Sequence, residues 1–297
     1  MKKIVVIGSL NMDLITQTEK LPVMGETISG IAFKTVCGGK GGNQACAAAK
    51  LGGNVTMLGC VGEDVFGQEL LACLEKVGVD CSKVRICEGM ESGTASITVY
   101  QGDNSIIIIP GANGVVSIEY IEEHLSCIKE ADFIMLQLEI PLETVEYIIS
   151  YAAKEKIPVM LNPAPAKELP DTVFRQTEYM IVNETECEFY TGVSIHTIEE
   201  AKEGLRHLRA KGIQNGIVTL GSQGAVFNCG DEIFHEPAKK VTAVDSTAAG
   251  DTFTAAIVVS LLEGNTMQEA IKFATKASAI VVTRMGAQTS IPSRDEL

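Results

Sequence analysis

The hydrophobic positions fall into two alternating patterns. "IVVIG" (4–8) and "VTMLGCVG" (55–62) are short unbroken apolar runs closed by glycine, the pattern of strands covered on both faces. "FIMLQLE" (133–139), "PVMLNPAP" (158–165), "YMIVN" (179–183) and "GIVTLGSQGAVF" (216–227) repeat it. Between them, apolar residues recur at helical spacing over 43–51, 66–77, 143–156, 185–191, 199–211, 251–263 and 267–283. This alternation predicts an α/β fold: a Rossmann-like, mostly parallel sheet with helices on both faces. Two segments break the rhythm. Residues 26–37 and 93–112 read as antiparallel strands, the second pair turning at Gln101-Gly102-Asp103-Asn104. They are expected to form one small sheet built from two insertions. Ile106 to Ile109 allow no alternation, so both faces of that strand need a cover: a pocket on one side, another subunit on the other.

Composition narrows the possibilities. The 297 residues are 46% hydrophobic, as in a soluble globular protein of one large α/β domain. A net charge of −14 excludes the basic surface of a nucleic-acid binder. Nine cysteines without a C-x-x-C pair argue against a disulfide framework and a structural zinc site, and the four histidines form no metal motif. "MKKIVVIGS" is too short in its apolar part for a signal peptide or a membrane span, so a cytoplasmic protein is expected. No repeat, low-complexity segment or linker stands out.

Ligands of an open parallel sheet bind at the carboxyl ends of its strands. Just past the strand ends stand Asn11 and Asp13 in "GSLNMD", Glu139 in "LQLEIP" and Asn183 in "NETE", with Glu186 one turn on. The glycine loop Gly221-Ser222-Gln223-Gly224 and the stretch "VDSTAAGDTF" (244–253) complete the set. Singly, each residue reads equally as a turn or cap residue. Together they make a pocket of amides and carboxylates suited to hydroxyls.

Two glycine-rich stretches open helices. "CGGKGGNQACAAAKLGG" (37–53) fails the P-loop pattern, because Lys40 is followed by Gly41. No G-x-G-x-x-G follows the first strand, which disfavours a dinucleotide site. The glycines are expected to let backbone approach a ligand closely. In the second stretch, Ala248, Ala249, Gly250 and Asp251 are predicted to aim unpaired backbone N–H groups at an anion above the helix start. A carboxylate there would repel a phosphate that was merely bound. It makes sense as a base that takes a proton from a hydroxyl attacking phosphorus. The alternative for Asp251 is a plain helix cap.

"GGKGGNQA" and "DSTAAGDTF" resemble the two signature motifs of the PfkB-type carbohydrate kinases, and the resemblance runs from residue 4 to about 292. "GSLNMD", "LQLEIPLE", "LNPAPA", "NETE", "TLGSQG" and "RMGAQTSIP" are similar to those of its ribose-phosphorylating members. The resemblance implies one kinase domain over 1–297 with a β lid inserted at about 10–37 and 93–112. It implies ATP-dependent phosphorylation of D-ribose at O5, with Asp251 as base and Ala248 to Asp251 as anion hole. Asn11, Asp13, Gly39, Lys40, Asn43 and Glu139 fall where the family holds sugar hydroxyls. Asn183, Thr219, Gly221, Ser222, Gly224, Gly250 and Thr275 fall where it holds ATP. Asp245, Thr247, Val281, Arg284, Gly286 and Ser290 match a loop for a monovalent cation such as K⁺, and Glu186 matches the residue tied to Mg²⁺ through water. Thr275 and Thr247 depart from the family pattern. A homodimer through the lid is also implied. Deoxyribose, fructose or a nucleoside as substrate, and a non-catalytic sugar sensor, are the alternatives.

Overall fold

The computed structural model describes residues 2–101 and 103–297. Strands β1 (Lys3–Ile7), β2 (Asn11–Gln17) and β3 (Ala32–Gly38) precede helix α1 (Lys40–Lys50). Then come β4 (Asn54–Leu58), β5 (Cys60–Gly62), α2 (Val65–Lys76), β6 (Arg85–Cys87), β7 (Gly93–Tyr100) and β8 (Asp103–Ile109). The middle of the chain holds α3 (Ile118–Glu122), α4 (Leu125–Lys129), β9 (Phe133–Leu136), α5 (Leu142–Glu155), β10 (Val159–Leu161), α6 (Asp171–Gln176) and β11 (Tyr179–Val182). It closes with α7 (Glu184–Thr191), α8 (Ile198–Ala210), β12 (Asn215–Thr219), β13 (Ala225–Cys229), β14 (Glu232–Glu236), α9 (Ala249–Leu262) and α10 (Met267–Val281).

An eight-stranded sheet in the order β14-β13-β12-β11-β10-β9-β1-β4 forms the body. It is parallel from β4 to β12 and antiparallel at β13 and β14. The apolar runs are continuous because each central strand faces two cores. On β1, Val5 and Ile7 enter the core shared with α3 to α8, whereas Ile4 and Val6 enter the core shared with α1, α2, α9 and α10. All four side chains are fully buried, each contributing about 1.5–3 kcal/mol of apolar transfer.

A second sheet, in the order β3-β2-β7-β8, stands over the carboxyl ends of the body strands. Its outer pairs are antiparallel, but β2 and β7 run parallel in register Asn11↔Gly93. Both leave the body in the same direction, so a purely antiparallel sheet is not possible. Of the 26–37 run only β3 is strand, and its partner is β2, which carries Asn11 and Asp13 and lies within the lid span of about 10–37 that the resemblance implies. The turn expected at 101–104 includes Gly102, which lies outside the described residues.

Other differences have simple causes. The run 55–62 splits at Gly59, whose amide donates to the Tyr120 hydroxyl at 2.9 Å instead of continuing a ladder. The run 216–227 is a hairpin, because Gly221 and Gly224 both take positive φ (49° and 97°). β14 and the short helices α3, α4 and α6 carry too few residues to show a period.

Candidate active site

Three cavities open side by side at the carboxyl ends of the parallel strands, with volumes of about 710, 210 and 480 Å³. All three reach Ser246, at the approach to α9.

The first lies between the second sheet and the body. Asn11, Asp13, Gly39, Lys40, Asn43, Glu139 and Asp251 all line it. Strand alternation on β2 turns Asn11 and Asp13 inward together. Asn11 Oδ1 accepts from Asn113 Nδ2 at 2.7 Å, which leaves its NH₂ for the cavity. Asn113 is itself fixed by the Leu10 amide (2.9 Å) and carbonyl (3.0 Å). The Asp13 carboxylate has no hydrogen-bond partner among the described residues. Burial first, then the charges of Glu139 and Asp251, push its pKa from 3.8 up to about 7. Glu139 accepts from the Ser9 hydroxyl and from the Lys40 amide at 3.1 Å, and so anchors the start of α1.

The glycines of the first loop serve mainly the protein's own packing. A Cβ on Gly41 would lie 2.6 Å from the Ser9 amide, one on Gly39 2.6 Å from the Asn11 amide, and one on Gly38 2.5 Å from Asp13 Oδ2. The loop is glycine-rich so that α1 can press on the β1–β2 turn and clear room for Asp13. Gly39 and Gly41 are required by backbone-to-backbone contact and Gly38 by the Asp13 carboxylate, while Gly39 also lines the first cavity.

Asp251 sits in the first turn of α9. Its Oδ2 accepts from Asn43 Nδ2 at 3.0 Å and its Oδ1 from Gln44 Nε2 at 3.1 Å. Ahead of it, Ala248 takes the left-handed conformation (φ 61°) and gives the helix no side-chain cap. The Ala249 amide is spent on Ser246 O at 3.2 Å. The amides of Gly250 and Asp251 have no acceptor among the described residues, and a Cβ on Gly250 would meet open space. The Ala248 amide likewise has no acceptor among the described residues, so of the four amides expected to form an anion hole only that of Ala249 is already spent.

Lys40, Asn183, Glu186, Thr219, Gly250 and Asp251 line the second cavity. Burial lowers the Lys40 pKa, but the carboxylates of Asp251, Glu139 and Glu186 outweigh it, so the ammonium is held above its usual range. Asn183 and Glu186 form a reciprocal cap on α7, at 2.8 and 2.9 Å. Burial pushes the Glu186 pKa up, against the Asn183 amide that it accepts.

Thr219, Gly221, Ser222, Gly224, Gly250 and Thr275 line the third cavity, whose other walls include Phe253, Val241 and Val282. Thr275 is buried with its hydroxyl donating to Ile271 O at 2.8 Å, so it offers the cavity only its methyl group.

The 281–290 loop abuts the same helix start. Asp245 Oδ2 accepts the Gly286 amide at 2.9 Å, and Oδ1 accepts the Thr247 amide (2.9 Å) and hydroxyl (2.6 Å). These bonds hold the Asp245 carboxyl below the usual range against the opposing effect of burial, the largest single influence. Val281 and Ser290 are buried in this loop, and the Arg284 side chain turns away to pair with Glu296 at 2.5 Å.

Ser9, Gln44, Asn113, Gln137 and Asn162 belong to the site but were not singled out from sequence. Ser9 and Gln44 lie inside the quoted motifs "GSLNMD" and "GGKGGNQA". Gln137 and Asn162 lie likewise inside "LQLEIP" and "LNPAPA", whereas no quoted motif contains Asn113.

Related proteins agree with this architecture. The profile described as "pfkB family carbohydrate kinase" matches residues 1–294. A ribokinase of Bacillus subtilis is 40% identical over 297 residues, covering 100% of this chain and 98% of the relative. A deoxyribokinase of Salmonella typhi is 41% identical over 295 residues, covering 99% of this chain and 96% of the relative. The solved structure of Arabidopsis thaliana ribokinase complexed with ribose and ATP superimposes with a TM-score of 0.92 at 32% identity, covering 99% of this chain and 97% of that one. With the family profile spanning nearly its whole length, the chain belongs to the pfkB family of carbohydrate kinases and is an ATP-dependent sugar kinase.

Proposed function

We propose that this chain transfers the γ-phosphoryl group of ATP to the O5 hydroxyl of D-ribose. The observation that carries this reading is the junction at Ser246–Asp251. There a cavity lined by amides and carboxylates and a partly apolar cavity meet at the unpaired amides of Ala248, Gly250 and Asp251 and at one carboxylate. The sugar occupies the first cavity, held by Asn11, Asp13, Asn43, Glu139 and the Gly39-Lys40 turn. ATP occupies the third, its base on the apolar wall near Thr275 and its phosphates along Thr219 to Gly224 and Asn183. The O5 proton passes to Asp251 as the new O–P bond forms, and the bond to the ADP bridging oxygen breaks in line with it. The amides of Gly250 and Asp251 and the Lys40 ammonium take up the charge on the moving phosphoryl group.

Glu186 keeps Oε1 free of partners among the described residues, so it fits a magnesium ion held through water. When bound, that ion neutralises phosphate oxygens. Asp245 with the carbonyls of Thr247, Val281, Arg284, Gly286 and Ser290 is an all-oxygen donor set that fits a hard monovalent cation such as K⁺. The second sheet serves as a lid, and its outer face pairs two subunits. Ile106 and Ile108 line the sugar cavity and Ile107 and Ile109 do not, and all four are between 41% and 66% exposed in the single chain. No helix among the described residues is long and apolar enough to cross a membrane. Nine free cysteines suit the reducing cytoplasm.

Deoxyribose is the second reading, favoured by a deoxyribokinase relative as similar as the ribokinases. A coupled ADP-release assay over pentoses, hexoses and nucleosides decides between them, with ribose expected to give the highest kcat/KM. Asp251→Asn should lower kcat about 10²–10⁴-fold. A variant retaining a third of the turnover refutes the base, and a nucleoside or hexose that outruns both pentoses refutes the substrate.

A further inference from the structure

Behind Asp251 lies a chain of buried amides that substrate binding does not use. Gln44 and Gln137 are both fully buried. Gln44 Nε2 donates to Asp251 Oδ1 at 3.1 Å, and Gln44 Oε1 accepts from Gln137 Nε2 at 2.6 Å. Neither glutamine lines any of the three cavities. The direction of this chain is dictated from one end. An ionised carboxylate only accepts, so Gln44 must turn its NH₂ toward Asp251 and its oxygen toward Gln137. Gln137 must then turn its own NH₂ to Gln44. Its Oε1 is left buried without a partner, lodged where Gly8 provides no Cβ. An unpaired buried oxygen is unfavourable, and apolar residues would fill the same core without it. The arrangement gains one thing in return: the orientation of the Asp251 carboxylate, gripped by Asn43 on one oxygen and by Gln44 on the other.

We infer that Gln44 is a positioning residue for Asp251 and that Gln137 acts through Gln44, tying the carboxylate plane to the end of β9. This rests on the reading of Asp251 as the base. With the clamp intact, a carboxylate lone pair stays aimed at the sugar hydroxyl. Without it, the carboxylate turns about χ2 and misses the in-line geometry. The substrates themselves lose no contact.

The test compares Gln44→Met, Gln137→Met, the double variant and Asp251→Asn in steady-state assays with ribose and ATP, each with a melting curve. Gln44→Met should lower kcat about 10- to 100-fold, with both KM values within about twofold of wild type. Gln137→Met should lower kcat less. The double variant should match Gln44→Met alone, because Gln137 has no other route to the carboxylate. Wild-type kcat in a folded Gln44→Met, or losses that multiply in the double variant, overturns the inference. Should Gln44→Met fail to fold, Gln137→Met decides alone: a lower kcat at constant KM supports the clamp, and an unchanged kcat refutes it. An Asp251→Asn variant that stays active marks failure of the base assignment instead.

Discussion

Replacing Asp13 by Asn should make the sugar-free protein more stable and a worse enzyme. Asp13 is buried, faces the charges of Glu139 and Asp251, and has no donor of its own among the described residues. Its pKa moves from 3.8 up to about 7. At about 1.4 kcal/mol per pH unit, keeping it ionised in the folded state costs up to about 4 kcal/mol. Water in the open 710 Å³ cavity screens part of this, leaving about 2–4 kcal/mol. The sign follows from proton binding. Between pH 3.8 and about 7 the folded chain keeps a proton that the unfolded chain releases. Wild-type stability therefore falls as pH rises through that window and stays low above it. Asparagine escapes the penalty, so its advantage is absent near pH 3.5, about 1.5 kcal/mol at pH 5 and full at pH 8. For a chain of this size the full effect corresponds to a Tm gain of about 4–8 °C at pH 8. Differential scanning fluorimetry of both proteins without sugar, from pH 5 to 8, reads it directly. In parallel the ribose KM of the variant should rise about 10- to 100-fold, the loss of a charged hydrogen bond. A variant that melts below wild type at pH 8, or a Tm difference that does not change with pH, refutes the reasoning.

The same titration predicts that the wild-type ribose KM rises as pH falls from 8 to 6 while the ATP KM holds steady; a flat ribose KM across that range removes Asp13 from sugar recognition. Gly250→Ala places a methyl in the open space beside the free amides of the helix start, so kcat should fall at least about 10-fold while the protein gains about 0.5–1 kcal/mol from helix propensity; equal turnover in alanine and wild type contradicts the anion hole. Activity should require potassium or a similar ion; equal rates in potassium and tetramethylammonium buffers, at fixed magnesium, disprove the cation loop. Ile107→Lys puts a charge on the outward face of β8 and should convert a dimer to monomer in sedimentation while weakening ribose binding; a wild type that sediments as a monomer at micromolar concentration removes the dimer.

What the sequence revealed depended on the range of the interaction behind each feature. Strands such as 4–8 and 179–183 were legible because both faces are buried and the apolar run records it. Asp251 stood out because three small residues precede an acid at a helix start, and the structure gives that carboxylate no capping bond. β2 was missed although Met12 and Leu14 alternate with Asn11 and Asp13, because polar residues after a first strand also read as a turn. Gly38, Gly39 and Gly41 also make room for the Asp13 carboxylate and the backbone of Ser9 to Asn11, a packing requirement that no local pattern reveals. Gln137 stands inside the quoted "LQLEIP" and Asn113 in no motif, but neither partner could be read locally, because each acts on a residue about a hundred positions away.

The ring of Asp13, Glu139 and Asp251 has a further consequence for the way the reaction ends. Ribose enters without charge, so the three acids cost it nothing and each can accept from its hydroxyls. The molecule that leaves carries a phosphate of charge close to −2, formed at the rim of that same ring. The acids that welcomed the sugar then repel its ester. Lys40, which lines both the first and the second cavity, offsets part of this while the phosphate stays near it. If the sugar binds there as proposed, charge alone makes the pocket a one-way valve: it favours the neutral sugar over the anionic product and predicts weak back-binding of sugar phosphate.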